Sequence, residues 1–329
     1  MPKIVRFEKT GSADVLKIYD EPPAHPGEGE VRIRVEAIGL NRAEVLFRQG
    51  LYREKPEFPA RIGYEAAGVV EALGSGVKGF KVGDKVSTIP SFAMSKYGVY
   101  GESAIVPAQA LAHYPDNLSP EEGASIWMQY MTAYGALVEL GKMKPGDYVV
   151  ITAASSSVGV AAIQICKDLG GVSIASTRGA SKKQRLLDAG ANYVIVLDEE
   201  EMVTRINEIT KKHGADICFD AVAGPMLGQL AKACAYGATI FEYGALSLEA
   251  TPFPLMLSLE KAISVRGYTL FQINRNPELA QRAKMYIYEG LRMGILKPVI
   301  DKVFSFNEIA ESQRYMESNQ QYGKIVVKV

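Results

Sequence analysis

This 329-residue chain has only three cysteines and three histidines, so it has few thiolate or imidazole ligands for a metal and little to build a disulfide from. Cys166, Cys218 and Cys234 are odd in number and set among apolar neighbours. That is the habit of small core residues in a reducing compartment, not of a disulfide or zinc framework. His25, His113 and His213 stand singly and far apart, as packing or surface histidines do. Neither sign of charge is in excess, since 37 Lys and Arg balance 37 Asp and Glu. With no basic run and no aromatic-interleaved stripe, nucleic acid is not expected as a partner. No apolar segment approaches the ~20 residues of a membrane span. The N-terminus also lacks a signal-peptide pattern. The expectation is a cytoplasmic protein of about two domains, with no membrane partner.

What is present is organised around Asp147-Tyr-Val-Val-Ile-Thr-Ala-Ala-Ser-Ser-Ser-Val-Gly159. Tyr148 to Thr152 is a short apolar, β-branched run, the signature of a buried parallel strand. Small residues follow, and then Val160, Ile163 and Leu169 recur at helical spacing. Strand, tight turn and helix build a dinucleotide-binding fold: the turn admits a pyrophosphate and the helix N-terminus receives its charge. Ser156 and Ser157 stand where two glycines are usual. Serine is small, and its hydroxyl can bond a phosphate oxygen or cap the helix. The cofactor contacts expected here are Ser155, Ser156, Ser157, Val158 and Gly159; the competing reading is a plain helix cap.

The second strand, Val172 to Ser176, ends where an acid would bind the adenosine ribose 2′-hydroxyl. This chain has Ser176, Thr177 and Arg178 there, followed by Lys182 and Lys183, and no Asp or Glu. Hydroxyls and cations in place of the acid suit a 2′-phosphate, so the pattern favours NADPH over NADH, with Thr177, Arg178 and Lys182 as contacts. The bland alternative is a solvated basic helix start.

Residues 1 to 120 lack long helical periodicity. Val31-Arg-Ile-Arg-Val35 alternates as a half-exposed strand, and closely spaced glycines from Gly63 to Gly83 punctuate short β-branched runs, as in a small, bent β-barrel. Ser119 and Pro120 begin a helical stretch that reaches about Leu140. Strands then alternate with helices: Tyr148–Thr152, Val172–Ser176, Tyr193–Leu197, Ile217–Ala221, Thr239–Tyr243 and Ser264–Tyr268, with helices at Val158–Leu169, Lys182–Ala189, Glu200–Lys212 and Pro225–Ala233. That alternation specifies a doubly wound parallel sheet. After a helix at Pro277–Met293, the tail ends in Lys324-Ile-Val-Val-Lys-Val329, a strand that pairs most simply back into the first domain.

With these pieces in place the chain resembles the medium-chain dehydrogenase/reductase superfamily from end to end. The motifs that carry the likeness are Gly63-Tyr-Glu-Ala-Ala-Gly-Val-Val70, Gly83-Asp-Lys-Val86, Thr132-Ala-Tyr-Gly135 and Gly146 to Lys167. The resemblance implies an α/β protein: a GroES-like β-barrel domain, residues 1–120 plus 270–329, with an inserted Rossmann domain over residues 121–269. Zinc members would carry Cys at Asn41, His at Tyr64 and Cys near Met128, with four further cysteines in 90–110. None of these ligands is present, so no metal is expected. What remains resembles the zinc-free quinone oxidoreductase and enoyl reductase branch.

In that branch the cofactor delivers hydride to a quinone or an activated double bond. Donors aimed at the carbonyl oxygen stabilise the developing charge, and a proton must follow. The resemblance places Tyr52 as a proton donor, the alternative being a loop aromatic that covers the cleft. Asn41 is placed to bond the nicotinamide ribose or the substrate oxygen. Tyr64 has a catalytic position but is also read as a plug in the vacant zinc space. Thr132, Tyr243, Gly244, Ala245 and Phe271 are implied near the nicotinamide, with Tyr268 to Phe271 as the far cleft wall. Lys324 is implied to reach back toward the cofactor, and Glu65 to hold the barrel turn. Leu197 departs from the tyrosine that related quinone reductases carry at the adenosine end.

The resulting expectation is an NADPH-dependent reductase of small electrophiles, quinones or α,β-unsaturated carbonyls, that forms a homodimer. A second reading is reduction of enoyl thioesters on coenzyme A or a carrier protein, for which Arg42, Arg48, Arg53, Lys55 and Arg61 would form a basic entrance. A third, of another class, is a non-catalytic NADPH-binding protein.

Overall fold

The computed structural model describes residues 1–329. They divide into two units, 1–128 with 298–329, and 129–297. Both boundaries lie later in the chain than the expected 120 and 270. The first unit extends because the Met128 N–H donates to Glu65 (2.8 Å) and the Trp127 indole donates to Ser87 (2.8 Å). The second keeps the helix Pro277–Arg292, whose Arg282 grips Glu139 through two hydrogen bonds of 2.9 Å.

In the first unit β1 (Lys3–Arg6) and β2 (Lys17–Asp20) form an antiparallel pair. The main sheet begins with β3 (Glu30–Gly39), β4 (Glu65–Leu73), β5 (Lys85–Thr88), β6 (Ser103–Pro107) and β7 (Leu111–His113). Along β3 the expected alternation holds: Val31, Ile33 and Val35 are buried, while Arg32 and Arg34 point outward. The β3–β4 ladder slips register at Arg32/Ile33 and again at Val35/Ala37. Irregularities of this kind bend a sheet and tighten its twist.

The long helix expected from Pro120 is broken. A single turn, Pro120–Gly123, is capped by Ser119 and Glu122, and a second helix runs Trp127–Tyr134 before a π-helical turn at Gly135–Leu140. The Ser125 hydroxyl donates to the Glu121 carbonyl at 2.8 Å, a side-chain bond that competes with helix continuation.

The second unit holds β8 (Tyr148–Ile151), β9 (Val172–Thr177), β10 (Tyr193–Val196), β11 (Ala215–Asp220), β12 (Cys234–Glu242) and β13 (Ser264–Gly267). All pairings are parallel, in the order β10-β9-β8-β11-β12-β13. This is the doubly wound arrangement, and the order reverses between β8 and β11, where such sheets bind ligands at their carboxyl ends. Their core is apolar throughout, with Val149 to Ile151, Ile174, Ile195, Cys218 and Ile240 all buried.

The chain then returns to the first unit as β14 (Ile300–Ser305) and β15 (Lys324–Lys328). β15 pairs antiparallel with β3, Val326 opposite Gly39, as the tail pattern predicted.

Candidate active site

In the second unit, β8 leads to Thr152, whose hydroxyl is hydrogen-bonded to Asp220 at the end of β11. The backbone turns through Ala153 with φ of 44°, a left-handed conformation uncommon for a residue with a side chain. Ser156 then caps the helix Ser157–Leu169: its hydroxyl accepts from the Gly159 N–H at 3.1 Å. The first N–H groups of a helix lack intrahelical partners. With Gly159 served by the cap, those of Ser157 and Val158 are left for an anion. A Cβ on Gly159 would stand 2.5–2.7 Å from the Ala154 backbone, so only glycine lets the helix start this close to the strand. The tight approach survives although serines replace the glycines before it.

β9 ends at Thr177, which is buried, and Arg178 projects into solvent. The Lys182 ammonium lies 3.4 Å from the Ser155 hydroxyl, so the second strand–helix connection reaches back over the first. Asp198 is a feature that sequence reading missed. Its carboxylate lies 3.9 Å from where a Cβ on Gly179 would stand, so an acid from the end of β10 borders the basic cluster.

At the carboxyl end of β12, Tyr243 stacks on Phe219 with ring centroids 4.0 Å apart. Its hydroxyl is buried, has no hydrogen-bond partner, and has the Ser156 hydroxyl as a neighbour. Both carboxylate oxygens of Glu242 are likewise buried and unpartnered. Burial, and then the nearby Asp220 carboxylate, push Glu242 up to about 8. Gly244 is half-buried and Ala245 exposed beyond them. Buried polar groups without partners are uncommon in folded chains and mark places where a ligand completes the bonding. These lie at the carboxyl ends of parallel strands, where a dinucleotide fits.

Thr132 is buried within its helix, and Phe271, half-buried, opens the short helix Phe271–Asn274. Of the expected cleft wall, Tyr268 to Phe271, Thr269 is exposed and Phe271 half-buried, but the first residue is sealed in. Tyr268 is a core residue, 2% exposed, and its hydroxyl donates to the Met131 carbonyl at 3.3 Å. Tyr130 is also core, donating to Gln164 at 2.9 Å.

In the first unit a polar cluster is sealed inside the sheet. Asn41 caps the helix Arg42–Arg48, and Glu44 in its first turn folds back on it. The two oxygens of Glu44 accept from the Asn41 backbone N–H, the Asn41 amide (3.1 Å), the Tyr64 N–H (3.0 Å) and the Tyr100 hydroxyl (3.0 Å). Burial still pushes Glu44 up to about 7, against the pull of Lys324 and of these N–H donors. The Lys324 ammonium, fully buried, donates to Asn41 Oδ1 at 2.7 Å and pairs with Glu65, whose other oxygen accepts from the Met128 N–H. A Cβ on Gly39 would strike the Ala124 carbonyl at 1.9 Å and Lys324 Cε at 2.8 Å, so this strand carries no side chain where the lysine passes. Tyr64 is buried against Phe92, ring centroids 5.7 Å apart, and Tyr52, 6.4 Å apart. Burial drives the Tyr64 phenol above its ordinary value, which makes it a poorer acid. Tyr52 is only half-buried, with the Arg53 guanidinium 5.6 Å from its ring centre.

Comparison with known proteins agrees with this architecture. Residues 27–116 match the alcohol dehydrogenase GroES-like domain, and residues 157–284 match the zinc-binding dehydrogenase family. Human quinone oxidoreductase is 30% identical over 329 residues, covering 99% of this chain and 97% of its own. The rat synaptic vesicle membrane protein VAT-1 homolog is 31% identical, over 96% of this chain and 81% of its own. The crystal structure of Escherichia coli quinone oxidoreductase complexed with NADPH superposes with a TM-score of 0.93 at 28% identity, covering 99% and 100% of the two chains. The chain belongs to the quinone oxidoreductase branch of the medium-chain dehydrogenase/reductase superfamily.

As a member of that branch it is an oxidoreductase. The superfamily includes zinc enzymes, and the first unit does bring their ligand positions together. Asn41 and Met128 meet through Lys324 and Glu65, and Tyr64 joins Asn41 through Glu44. Amide, thioether and phenol are not a zinc donor set. No three His, Cys, Asp or Glu side chains converge to hold a metal ion anywhere in the chain. The residues present do not fit zinc.

The expected basic entrance is also corrected. The Arg42 guanidinium donates to the Met316 carbonyl and to Asn319, and Arg48 is buried against Gly11, Gln313 and Glu317. Arg61 pairs with Glu21, and Lys55 donates to the Gly50 carbonyl. Of the five, Arg42, Arg48 and Arg61 serve as internal braces, while Arg53 and Lys55 are exposed.

Proposed function

We propose that this protein is a zinc-independent reductase of quinones or α,β-unsaturated carbonyl compounds. The cofactor is NADPH, which supplies the hydride. Ser155 to Gly159 would hold the pyrophosphate, Thr177, Arg178 and Lys182 the 2′-phosphate, and the ends of β11 and β12 the nicotinamide half. Thr132, Tyr243, Gly244, Ala245 and Phe271 would contact the nicotinamide half.

The observation that carries the zinc-free reading is the Lys324 ammonium among Asn41, Glu65 and Glu44. The buried positive charge at the converged ligand positions belongs to the chain itself. Asn41 has both amide hydrogens engaged, toward Gly39 at 3.3 Å and Glu44 at 3.1 Å. It can therefore accept from a ligand hydroxyl but has no spare donor. Lys324 is read as the residue that positions Asn41. Tyr52 supplies the proton that follows hydride; Tyr64 covers it as a buried wall.

Reduction of coenzyme A thioesters is less favoured, because three of the five basic residues that would receive the pantetheine phosphate, Arg42, Arg48 and Arg61, are committed elsewhere. A second copy of the chain is the partner we propose. β13 has one free edge, and Leu248, Phe253, Leu255, Met256 and Leu259 in the segment that leads into it are exposed. Apolar exposure along an open strand edge is the kind of surface that self-association covers. Sedimentation at micromolar concentration should give twice the chain mass.

The experiment that tests the function is NADPH oxidation followed at 340 nm with a chelator present. Acceptors are 1,4-benzoquinone, phenanthrenequinone, 2-hexenal, an enone and crotonyl-coenzyme A. Chelator-resistant turnover of a quinone or enal is expected. Loss of turnover with the chelator would overturn the reading of Asn41 and Tyr64. Turnover of the thioester alone would move the substrate assignment to the second reading. Tight NADPH binding with no oxidation of any acceptor would leave a binding protein.

A further inference from the structure

The carboxyl pair formed by Asp220 and Glu242 takes no part in the reaction described above. The two residues are direct partners in the β11–β12 register, at the last residue of each strand. Their bonding is unequal. Asp220 is fully buried and accepts from the Thr152 hydroxyl, the Val222 N–H (2.9 Å) and the Ala223 N–H (2.9 Å). Glu242 has both oxygens shut off from solvent and no donor, its one hydrogen-bonding neighbour being the Asp220 carboxyl. Donors hold a carboxylate in its ionised form, whereas a buried one that has no donor and faces another carboxylate takes up a proton. Asp220 is therefore the anion of the pair and Glu242 the acid. Its value of about 8 agrees with that geometry.

The groups around Glu242 offer it no cation. Cys218 on β11 is a buried thiol that the same two carboxyls help keep protonated. Tyr243 is a phenol raised by burial, with Asp220 adding to the effect. On β13 the residue opposite is Gly267, and Arg266 beside it turns its guanidinium to Gln272. Any positive charge that acts on Glu242 must come with a ligand. The pair lies at the carboxyl ends of the strands, the side of such a sheet on which dinucleotides bind.

We infer that Glu242 reads the redox state of the bound nucleotide, giving up its proton when the oxidised, positively charged form binds and keeping it when the reduced form binds. The inference rests on the dinucleotide assignment and not on the choice of electrophile. The chemistry is a single proton transfer from the Glu242 carboxyl to solvent, with no change of oxidation state in the protein. Charge at the strand ends then stays balanced: the Asp220–Glu242 pair carries one negative charge beside a neutral ring and two beside a cationic one. A raised acid that loses its proton on binding makes affinity for the oxidised form rise with pH, up to the free-state value.

The test is proton release on binding, by calorimetric titration in two buffers of different ionisation enthalpy, with NADP+ and NADPH as separate ligands and no electrophile present. NADP+ should release close to one proton per site at about pH 7, and its Kd should fall by up to about tenfold per pH unit below about pH 8. NADPH should release close to none, and E242Q, isosteric with the neutral acid, should abolish the difference. D220N is the second variant: burial still favours the Glu242 proton but the neighbouring anion is gone, so release at about pH 7 should fall below that of the wild type and shift to lower pH; a profile unchanged in D220N would overturn the coupling of the pair. Equal proton counts for the two nucleotides, or release that persists in E242Q, overturns the inference and leaves the cofactor assignment standing. Failure of both nucleotides to bind would overturn the assignment and the inference together.

Discussion

Replacing Glu44 by glutamine keeps the side-chain volume and removes its charge. The native carboxyl is fully buried, has four donors on its two oxygens, and titrates at about 7 in place of 4.5. A carboxyl raised by folding holds its proton more tightly in the native state than in the unfolded chain. Its contribution to stability is complete below the unfolded value and is lost as pH rises through the folded one. The window therefore runs from 4.5 to about 7, and the interval corresponds to about 3 kcal/mol. Glutamine adds a cost that does not depend on pH. Its NH2 must face two donors on whichever side it takes, and the bond it cannot accept costs about 1–3 kcal/mol. Urea unfolding can be followed through Trp127, the single tryptophan, which is buried in the same unit. The wild-type advantage over E44Q should be largest near about pH 5 and shrink by about 3 kcal/mol toward about pH 8. A gap that stays constant or widens with pH would mean that the carboxyl is ionised throughout, its four donors outweighing its burial.

Three further outcomes are expected. K324M removes the cation from between Asn41 and Glu65 and should destabilise the first unit by about 3–5 kcal/mol, with K324M/E65Q costing less than the sum of the single changes; additivity in that cycle would deny the pairing. R178A combined with K182A should lower the ratio of NADPH to NADH affinity by about tenfold or more, since each charge-assisted bond is worth ~1.5–3 kcal/mol; an unchanged ratio in fluorescence titrations would remove the 2′-phosphate assignment. Y52F should lower kcat by about 10²–10⁴ and leave KM nearly unchanged, the mark of a lost proton donor; full activity would make Tyr52 a cover for the cleft.

Local patterns in the sequence were enough to place the strand, turn and helix from Tyr148 to Leu169. Strand, Ser156 cap and Gly159 occur within a dozen residues, and each acts through its own backbone neighbourhood. The closing strand was legible for a similar reason, because a β-branched run after the last helix has few places to pair. The sealed cluster was not. Asn41 and Lys324 are 283 positions apart, and nothing near either residue announces the other. The five basic residues read as an entrance looked solvated because arginine usually is; only the fold shows Arg48 beneath Gln313 and Glu317. Glu242 escaped notice as one acid in Glu-Tyr-Gly-Ala, its meaning supplied by Asp220 on the adjacent strand.

The pairing of β15 with β3 sets an order on how the polypeptide matures during synthesis. β3 and β4 are made within the first quarter of the chain, yet the neighbour that covers β3 and the ammonium that neutralises Glu65 arrive only with residues 324 to 328. Throughout translation of the nucleotide-binding unit, the first sheet holds an open edge and an acid awaiting its counter-ion. Domains that emerge early ordinarily fold early; this one must wait for the last strand. Chains that stop short of Lys324 would leave that edge unpaired and Glu65 without its counter-ion.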